Sequence, residues 1–153
     1  MNLYWIVLAA GIAATLIFLY LRVKKGGVTG LIAKAVASVG FIATACAALS
    51  LNIGFYGYGL LVIVGLVCGL LGDIWLDLKW IYIQDKDTYL YAGMASFFVG
   101  HIFFITAILT HFNWAVINIL IALAIAVAGA VIVLLIEKPM KMDYGKFKIP
   151  SAM

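Results

Sequence analysis

The sequence predicts an all-α fold: a polytopic integral membrane helical bundle of five transmembrane helices, with the N-terminus outside and the C-terminus cytoplasmic. Three observations carry that expectation. The 153 residues are 67% hydrophobic and 10% charged, with a mean hydropathy of +1.22, whereas in a water-soluble domain charged residues run near a quarter. Apolar runs of about 20 residues, the length needed to cross roughly 30 Å of hydrocarbon, recur along the chain. All ten Lys and Arg residues fall on one side, in alternate breaks, at the edge of the second run and in the tail. Soluble nucleic-acid-binding modules and cytosolic enzymes are thereby excluded, and the net charge of +4 belongs to membrane topology.

The runs are Leu3 to Leu21, Leu31 to Leu51, Tyr58 to Leu76, Tyr91 to Thr110 and Trp114 to Ile136. Each must be helical, because lipid offers the backbone no other hydrogen-bond partner. Arg22-Val-Lys24-Lys25-Gly26-Gly27 breaks the first two, Asn52-Ile53-Gly54 the next, then Lys79 to Asp87, then His111-Phe112-Asn113. The short second and fourth breaks imply tight antiparallel hairpins and hold no basic residue. Arg22, Lys24, Lys25 and Lys34 lie at the first break, Lys79 and Lys86 at the third, and Lys138, Lys141, Lys146 and Lys148 in the tail. By the bias of Lys and Arg to the cytoplasm, that side is the inside. Trp75, Trp80, Tyr82, Tyr89 and Tyr91 crowd the same boundary as interfacial aromatics. Cys46 and Cys68 fall within apolar runs and read as small buried residues.

Two ionisable groups lie within the runs away from their obvious ends, Asp73 and His101. Polar groups at such depth usually face the bundle interior. On the third span Gly65, Gly69, Gly72 and Asp73 share one face; on the fourth, Gly93, Ser96 and Gly100 form a stripe with His101 beside it. Small faces let backbones approach, so the two spans are expected to pack on each other, bringing Asp73 and His101 to one pocket. Counted from the shared loop, Asp73 lies roughly 8 Å deep and His101 roughly 15 Å, so a common ligand reaches both more easily than they reach each other. The alternative for both is a packing role, hydrogen bonding to neighbouring helices. Asp77 reads either as a site residue or as a solvated carboxylate beside Lys79. Lys34 either snorkels or meets a phosphate headgroup. Asp85, Lys86 and Asp87 read as a wet loop tip, His111 as an exposed turn residue, and Glu137 with Lys138 as a boundary ion pair.

At Gly69-Leu-Leu-Gly-Asp73-Ile-Trp-Leu, followed by Gly93-Met-Ala-Ser-Phe97-Phe-Val-Gly-His101, the sequence resembles the YhhN family of membrane proteins, which includes the lysoplasmalogenases. The two motifs are specific in this order and at this separation. Lys34 looks like the family's basic residue in span two, although Ala35 stands where proline is common. Gly145-Lys-Phe-Lys-Ile-Pro150 looks like the lead-in to a sixth helix. Members usually have eight spans and a later Ser-Asp motif that nothing in this chain matches. Residues 1–153 are therefore expected to form a single transmembrane domain lacking the last helices of the family fold.

The resemblance implies hydrolysis of the vinyl ether of a lysoplasmalogen to a fatty aldehyde and a glycerophospholipid. Such a bond breaks by protonation of the enol-ether carbon and capture of the oxocarbenium ion by water. A carboxylic acid set in hydrocarbon suits the first step, so Asp73 and His101 are expected to be catalytic, His101 orienting water or the headgroup. Lys34, Ser96 and Asp77 are expected to bind substrate. One His and one Asp fall short of a zinc site, there is no Gly-x-Ser-x-Gly elbow, and no metal or other cofactor is expected. The expected partner is a membrane lipid, a lysophospholipid, with no nucleic acid, and the expected location is the bacterial cell membrane. Two other classes stay open: a proton-coupled transporter in which Asp73 and His101 titrate, and a non-catalytic lipid-binding or assembly subunit.

Overall fold

The computed structural model describes residues 3–111 and 115–136, and its regular elements are all helical. They are α1 (Leu3–Lys24), α2 (Gly27–Leu51), α3 (Tyr56–Ile81), α4 (Lys86–His111) and α5 (Val116–Ile136). All five are long and apolar enough to cross a membrane, which makes the chain a multi-pass integral membrane protein. The 22 to 26 residues of α1 to α4 give rods of about 33 to 39 Å at ~1.5 Å per residue, so their ends overshoot the hydrocarbon.

The helices run further than the apolar runs suggest. α3 continues through Asp77, Lys79 and Trp80 to Ile81, one 3₁₀ turn spans Ile83–Asp85, and α4 opens at Lys86. The expected loop tip is therefore a turn and a helix start: Asp85 closes the turn, while Lys86 and Asp87 lie in the first turn of α4. Hydropathy marks where side chains leave the lipid. The backbone ladder keeps going through the interface, because each further turn satisfies its own N–H and C=O groups. The α1–α2 reversal is tighter than its sequence break. Gly26 (φ 58°) and Gly27 (φ 51°) both take the left-handed conformation that only glycine adopts readily, and only Lys25 and Gly26 separate α1 from α2. At the opposite end Asn52 closes α2, its Nδ2 donating to Ala48 O (3.0 Å) and its N–H to Leu49 O (3.0 Å), before a 3₁₀ turn at Ile53–Phe55.

Within residues 1–111, the major helix contacts join chain neighbours: α1 to α2, α2 to α3, and α3 to α4. Glycines lie in all three contacts, and between α2 and α3 it is Gly59 that seats the Leu49 side chain. A Cβ on Gly40 of α2 would stand 3.0 Å from Gly11 Cα of α1, so the two backbones cross in direct contact there. Between α3 and α4 the small faces interlock as the sequence predicts. Gly65 and Gly72 of α3 receive the rings of Phe104 and Phe97, and Gly93 and Gly100 of α4 receive Leu76 and the Gly65 carbonyl. Cys68 lies in this interface and is half-buried, whereas Cys46 is exposed, contrary to the expectation that both are buried. Cys46 sits on a face of α2 that none of α1, α3 and α4 covers, where a small apolar residue needs no packing partner in lipid.

Residues 112–153 form a separate unit. Its described helix, α5, has a mean hydropathy of 2.9 over Val116–Val133. Trp114, the Glu137 and Lys138 pair and the stretch from Gly145 to Pro150 lie outside the described residues.

Candidate functional site

α3 carries two carboxylates one helical turn apart, and helices from both earlier spans deliver a cation to them. Asp73 accepts a hydrogen bond from Ser38 at Oδ2 (2.9 Å) and an ion pair from Lys34 at Oδ1 (2.9 Å). Lys34 and Ser38 are four residues apart on α2 and so share a face, which puts one donor opposite each oxygen. The side chains of Lys34 and Asp73 are each 25% exposed. Asp77 meets Arg22 of α1 in a two-pronged pair, Nη1 to Oδ2 and Nη2 to Oδ1, both 3.0 Å, with Asp77 only 5% exposed.

These contacts change three expectations. Asp73 is an ion-paired, hydrogen-bonded carboxylate and not a lone acid in hydrocarbon, since Lys34 and Ser38 reach it from the neighbouring helix. Lys34 is engaged with Asp73 instead of standing free for a phosphate. Asp77 is not a solvated carboxylate beside Lys79. Lys79 lies two residues on, roughly 200° around the helix, with its Nζ 5.0 Å from the ring centre of Trp80, and Arg22 takes Asp77 in the interior.

A cavity of about 280 Å³ lies beside Asp73, between α2, α3 and α4. Ser38, Gly69, Asp73, Phe97, His101 and Phe104 are among its lining residues, so Asp73 and His101 do share one pocket. They do not bond each other. His101 Nδ1 lies 2.7 Å from Phe97 O. A carbonyl can only accept, so Nδ1 carries the hydrogen and Nε2 is the ring nitrogen left to meet a ligand or water. His101 is exposed where a buried position is expected, because α4 is covered by α3 on one flank and His101 stands at the rim of the cavity.

Ser96, expected to bind substrate, is not among the residues that line the cavity, and its Oγ donates to Ala92 O (2.9 Å) within α4. Neither Lys34 nor Asp77 lines it either, and they act on it only through Asp73 or the helix they share with it. Gly69 faces the cavity loosely, since a Cβ there would meet only Phe97, at 4.0 Å. Two further cavities of about 330 and 290 Å³, one between α1 and α2 and one at the far end of α2 and α3, contain no carboxyl, amine or imidazole among their lining residues. At that far end His111 rests its ring against Phe55 (4.8 Å) and Tyr58 (5.0 Å), as an exposed residue that nevertheless has aromatic neighbours.

The interfacial aromatics are in contact as well. Tyr89 stacks on Trp75 (5.8 Å), which lies between the paired carboxylates along α3, and rests against Tyr82 (5.7 Å), binding the start of α4 to the end of α3. Sequence reasoning found Asp73, His101 and Lys34 but missed Ser38 and Arg22. The four-residue spacing of Lys34 and Ser38 on an otherwise apolar helix is a signal for the first. For Arg22 the signal is a balance: Asp73 and Asp77 are two acids on one face, and Arg22 and Lys34 are cations at the same end of the helices.

The pairing of a Gly-Asp at the cytoplasm-predicted end of α3 with a Gly-x-x-Ser-Phe-x-x-x-His on α4 is thus also a spatial unit, built around one cavity. No curated protein and no solved structure matches the chain. The YhhN family profile matches residues 29–153, which takes in every residue of the cavity, and the chain belongs to the YhhN family.

Proposed function

We propose that this protein is a lysoplasmalogenase-like membrane hydrolase that cleaves the vinyl ether of a lysophospholipid. The observation that carries the proposal is the cavity shared by Asp73 and His101, with Lys34 and Ser38 fastened to the carboxyl. Its walls are otherwise apolar and aromatic, which suits an aliphatic chain with a reactive group near one end.

The Lys34 and Asp73 pair supplies the acid. Transfer of a proton from Lys34 Nζ to Asp73 Oδ1 gives a neutral amine and a neutral acid, and Asp73 then protonates the enol-ether carbon. The carboxylate left behind faces the oxocarbenium ion and stabilises it electrostatically, while Ser38 keeps it oriented. A water held by His101 Nε2 adds to the cationic carbon and gives its proton to the Asp73 carboxylate, which passes it back to the Lys34 amine across their ion pair. The resulting hemiacetal collapses by passing its hydroxyl proton to the departing glycerol oxygen as the carbon–oxygen bond breaks. Fatty aldehyde and glycerophospholipid leave, and the pair is back in its starting state.

The test is aldehyde release from a lysoplasmalogen by the purified protein in detergent, alongside Asp73→Asn and an alkyl-ether analogue that lacks the double bond. Release by the wild type, a loss of orders of magnitude in Asp73→Asn and no turnover of the saturated ether are expected. Equal release from wild type and Asp73→Asn rejects the assignment. A proton-coupled transporter is the second reading, favoured by the same intramembrane ion pair, since such pairs also mark proton relays. It is supported instead if the wild type releases no aldehyde but moves protons across vesicles only when Asp73 is present.

A further inference from the structure

The pair Arg22 and Asp77 lies outside the cavity, and Arg22 precedes the residues that match the family, so the hydrolase reading leaves both without a task. Their geometry is nonetheless specific. Asp77 is the buried polar side chain of the described residues, at 5% exposure, and Arg22 covers both of its oxygens at 3.0 Å. Arg22 reaches it past α2, and it does so over a glycine. A Cβ on Gly30 would stand 3.2 Å from Arg22 Cδ and 3.3 Å from Nη1, so a larger residue there would crowd the guanidinium stem.

Asp73 and Asp77 are four residues apart and project from the same face of α3, with Cβ atoms about 5 to 6 Å apart. Two carboxylates so placed repel each other and compete for cations. A buried charge without a partner is strongly destabilising, and the more buried of the two, Asp77, has the stronger demand. Lys79 cannot meet it, lying on the other side of the helix over Trp80. Lys34 is on the right face, one turn away, and is already held by Asp73. Arg22 matches Asp77 better than Lys34 would, because its planar fork answers both oxygens at once.

We infer that Arg22 and Asp77 form a positioning pair: by saturating the more buried carboxylate, Arg22 assigns Lys34 to Asp73 and so sets the ionic register of the cavity. This rests on the proposed function only for its catalytic consequence; the register itself is a property of the four side chains. Without Arg22, Lys34 is drawn one turn along α3 to Asp77, and Asp73, left with Ser38 alone, becomes open to a carboxyl-directed reagent.

Dicyclohexylcarbodiimide, which enters the hydrocarbon and modifies protonated carboxyls, reads this directly when the labelled site is located by peptide mass spectrometry. In the intact protein in detergent, both Asp73 and Asp77 should label slowly, and Lys34→Met should label quickly at Asp73. Arg22→Gln should also label at Asp73, several-fold faster than wild type, even though the substituted residue touches only Asp77. The double variant Arg22→Gln/Asp77→Asn removes the competing acid and should return Asp73 to the wild-type rate. Should Arg22→Gln not fold, Arg22→Lys, which keeps the charge and loses the fork, should show the same change in smaller measure. Labelling that rises at Asp77 alone, no rise at Asp73, or a rise that persists in the double variant each overturns the inference. None of these readings depends on aldehyde release. If labelling follows the expected order and no aldehyde forms, the hydrolase reading fails and the register stands.

Discussion

Each oxygen of Asp73 has one donor from α2, and the two donors are not equivalent. Lys34 brings charge, while Ser38 brings direction. Removing Ser38 leaves the ion pair but frees the carboxylate to rotate. Hydrogen bonds to charged groups contribute about 1.5 to 3 kcal/mol, and solvent reaching the site lowers this toward about 1 kcal/mol. Ser38→Ala should therefore reduce stability by roughly that amount, read from thermal unfolding in detergent, and slow aldehyde release less than Asp73→Asn does. Unchanged unfolding and unchanged turnover would show that the bond has no role. Asp77→Asn acts differently. It leaves one prong of the Arg22 fork facing an amide, and because Arg22 is 38% exposed the cost is a discounted buried-pair loss of about 1 to 3 kcal/mol. Stability should fall and turnover should change little, since Asp77 lies outside the cavity. A collapse of turnover with unaltered stability would place Asp77 in the chemistry. Asp73 and His101 were legible in the sequence because an ionisable group in an apolar run stands out against its background. Ser38 was not, since a lone serine is common in membrane helices and becomes informative only beside Lys34.

At the scale of the helices, the glycines divide into those that seat a neighbour and those that leave space. The sequence presents Gly65, Gly69, Gly72, Gly93 and Gly100 as equivalent members of two stripes. The structure separates them: a Cβ on Gly100 would sit 3.0 Å from the Gly65 carbonyl oxygen and 3.3 Å from Cys68 Cβ, whereas on Gly69 it would only touch Phe97 at 4.0 Å. Backbone cannot swing away as a side chain can. Gly100→Ala should therefore force α3 and α4 apart and cost about 1 to 3 kcal/mol, as overpacking does. Gly69→Ala should be neutral, or stabilising by up to about 1 kcal/mol through helix propensity, while Gly69→Leu should fill the cavity and block turnover in a protein that still folds. Melting temperatures of the three variants decide it, and equal losses in Gly69→Ala and Gly100→Ala would contradict the contact pattern. The stripes were visible from spacing alone. Which glycine is tight depends on the rotation of each helix about its axis, and periodicity leaves that angle undetermined.

For the whole molecule, the four helices of residues 3–111 bring their charged ends to one level. The end of α1, the start of α2 and the end of α3 are tied there by Arg22 to Asp77 and Lys34 to Asp73, and α4 begins beside them. That level holds the basic residues of the first and third breaks, so by the bias of Lys and Arg it should face the cytoplasm. A fluorescent protein that matures only in the cytoplasm, fused after Met153, should glow, and fusion into the turn at Gly54 should not. An inserted and expressed protein with the opposite pattern would reverse the orientation and place the cavity toward the outside.

Composition and run length by themselves determined that this chain is a set of membrane helices, because no other backbone arrangement satisfies its polar groups over so many apolar residues. Small-residue spacing further determined that α3 and α4 would pack on each other, since their glycine stripes allow close approach. Only the tertiary structure decided which cation answers which carboxylate, that Asp73 is paired and Asp77 enclosed, and that His101 stands at a rim. The physical reason is range: burial in lipid is a property of one segment and is written along it, whereas an ion pair needs two side chains on different helices to agree in depth, rotation and reach to within an ångström or so, and no single segment carries that information.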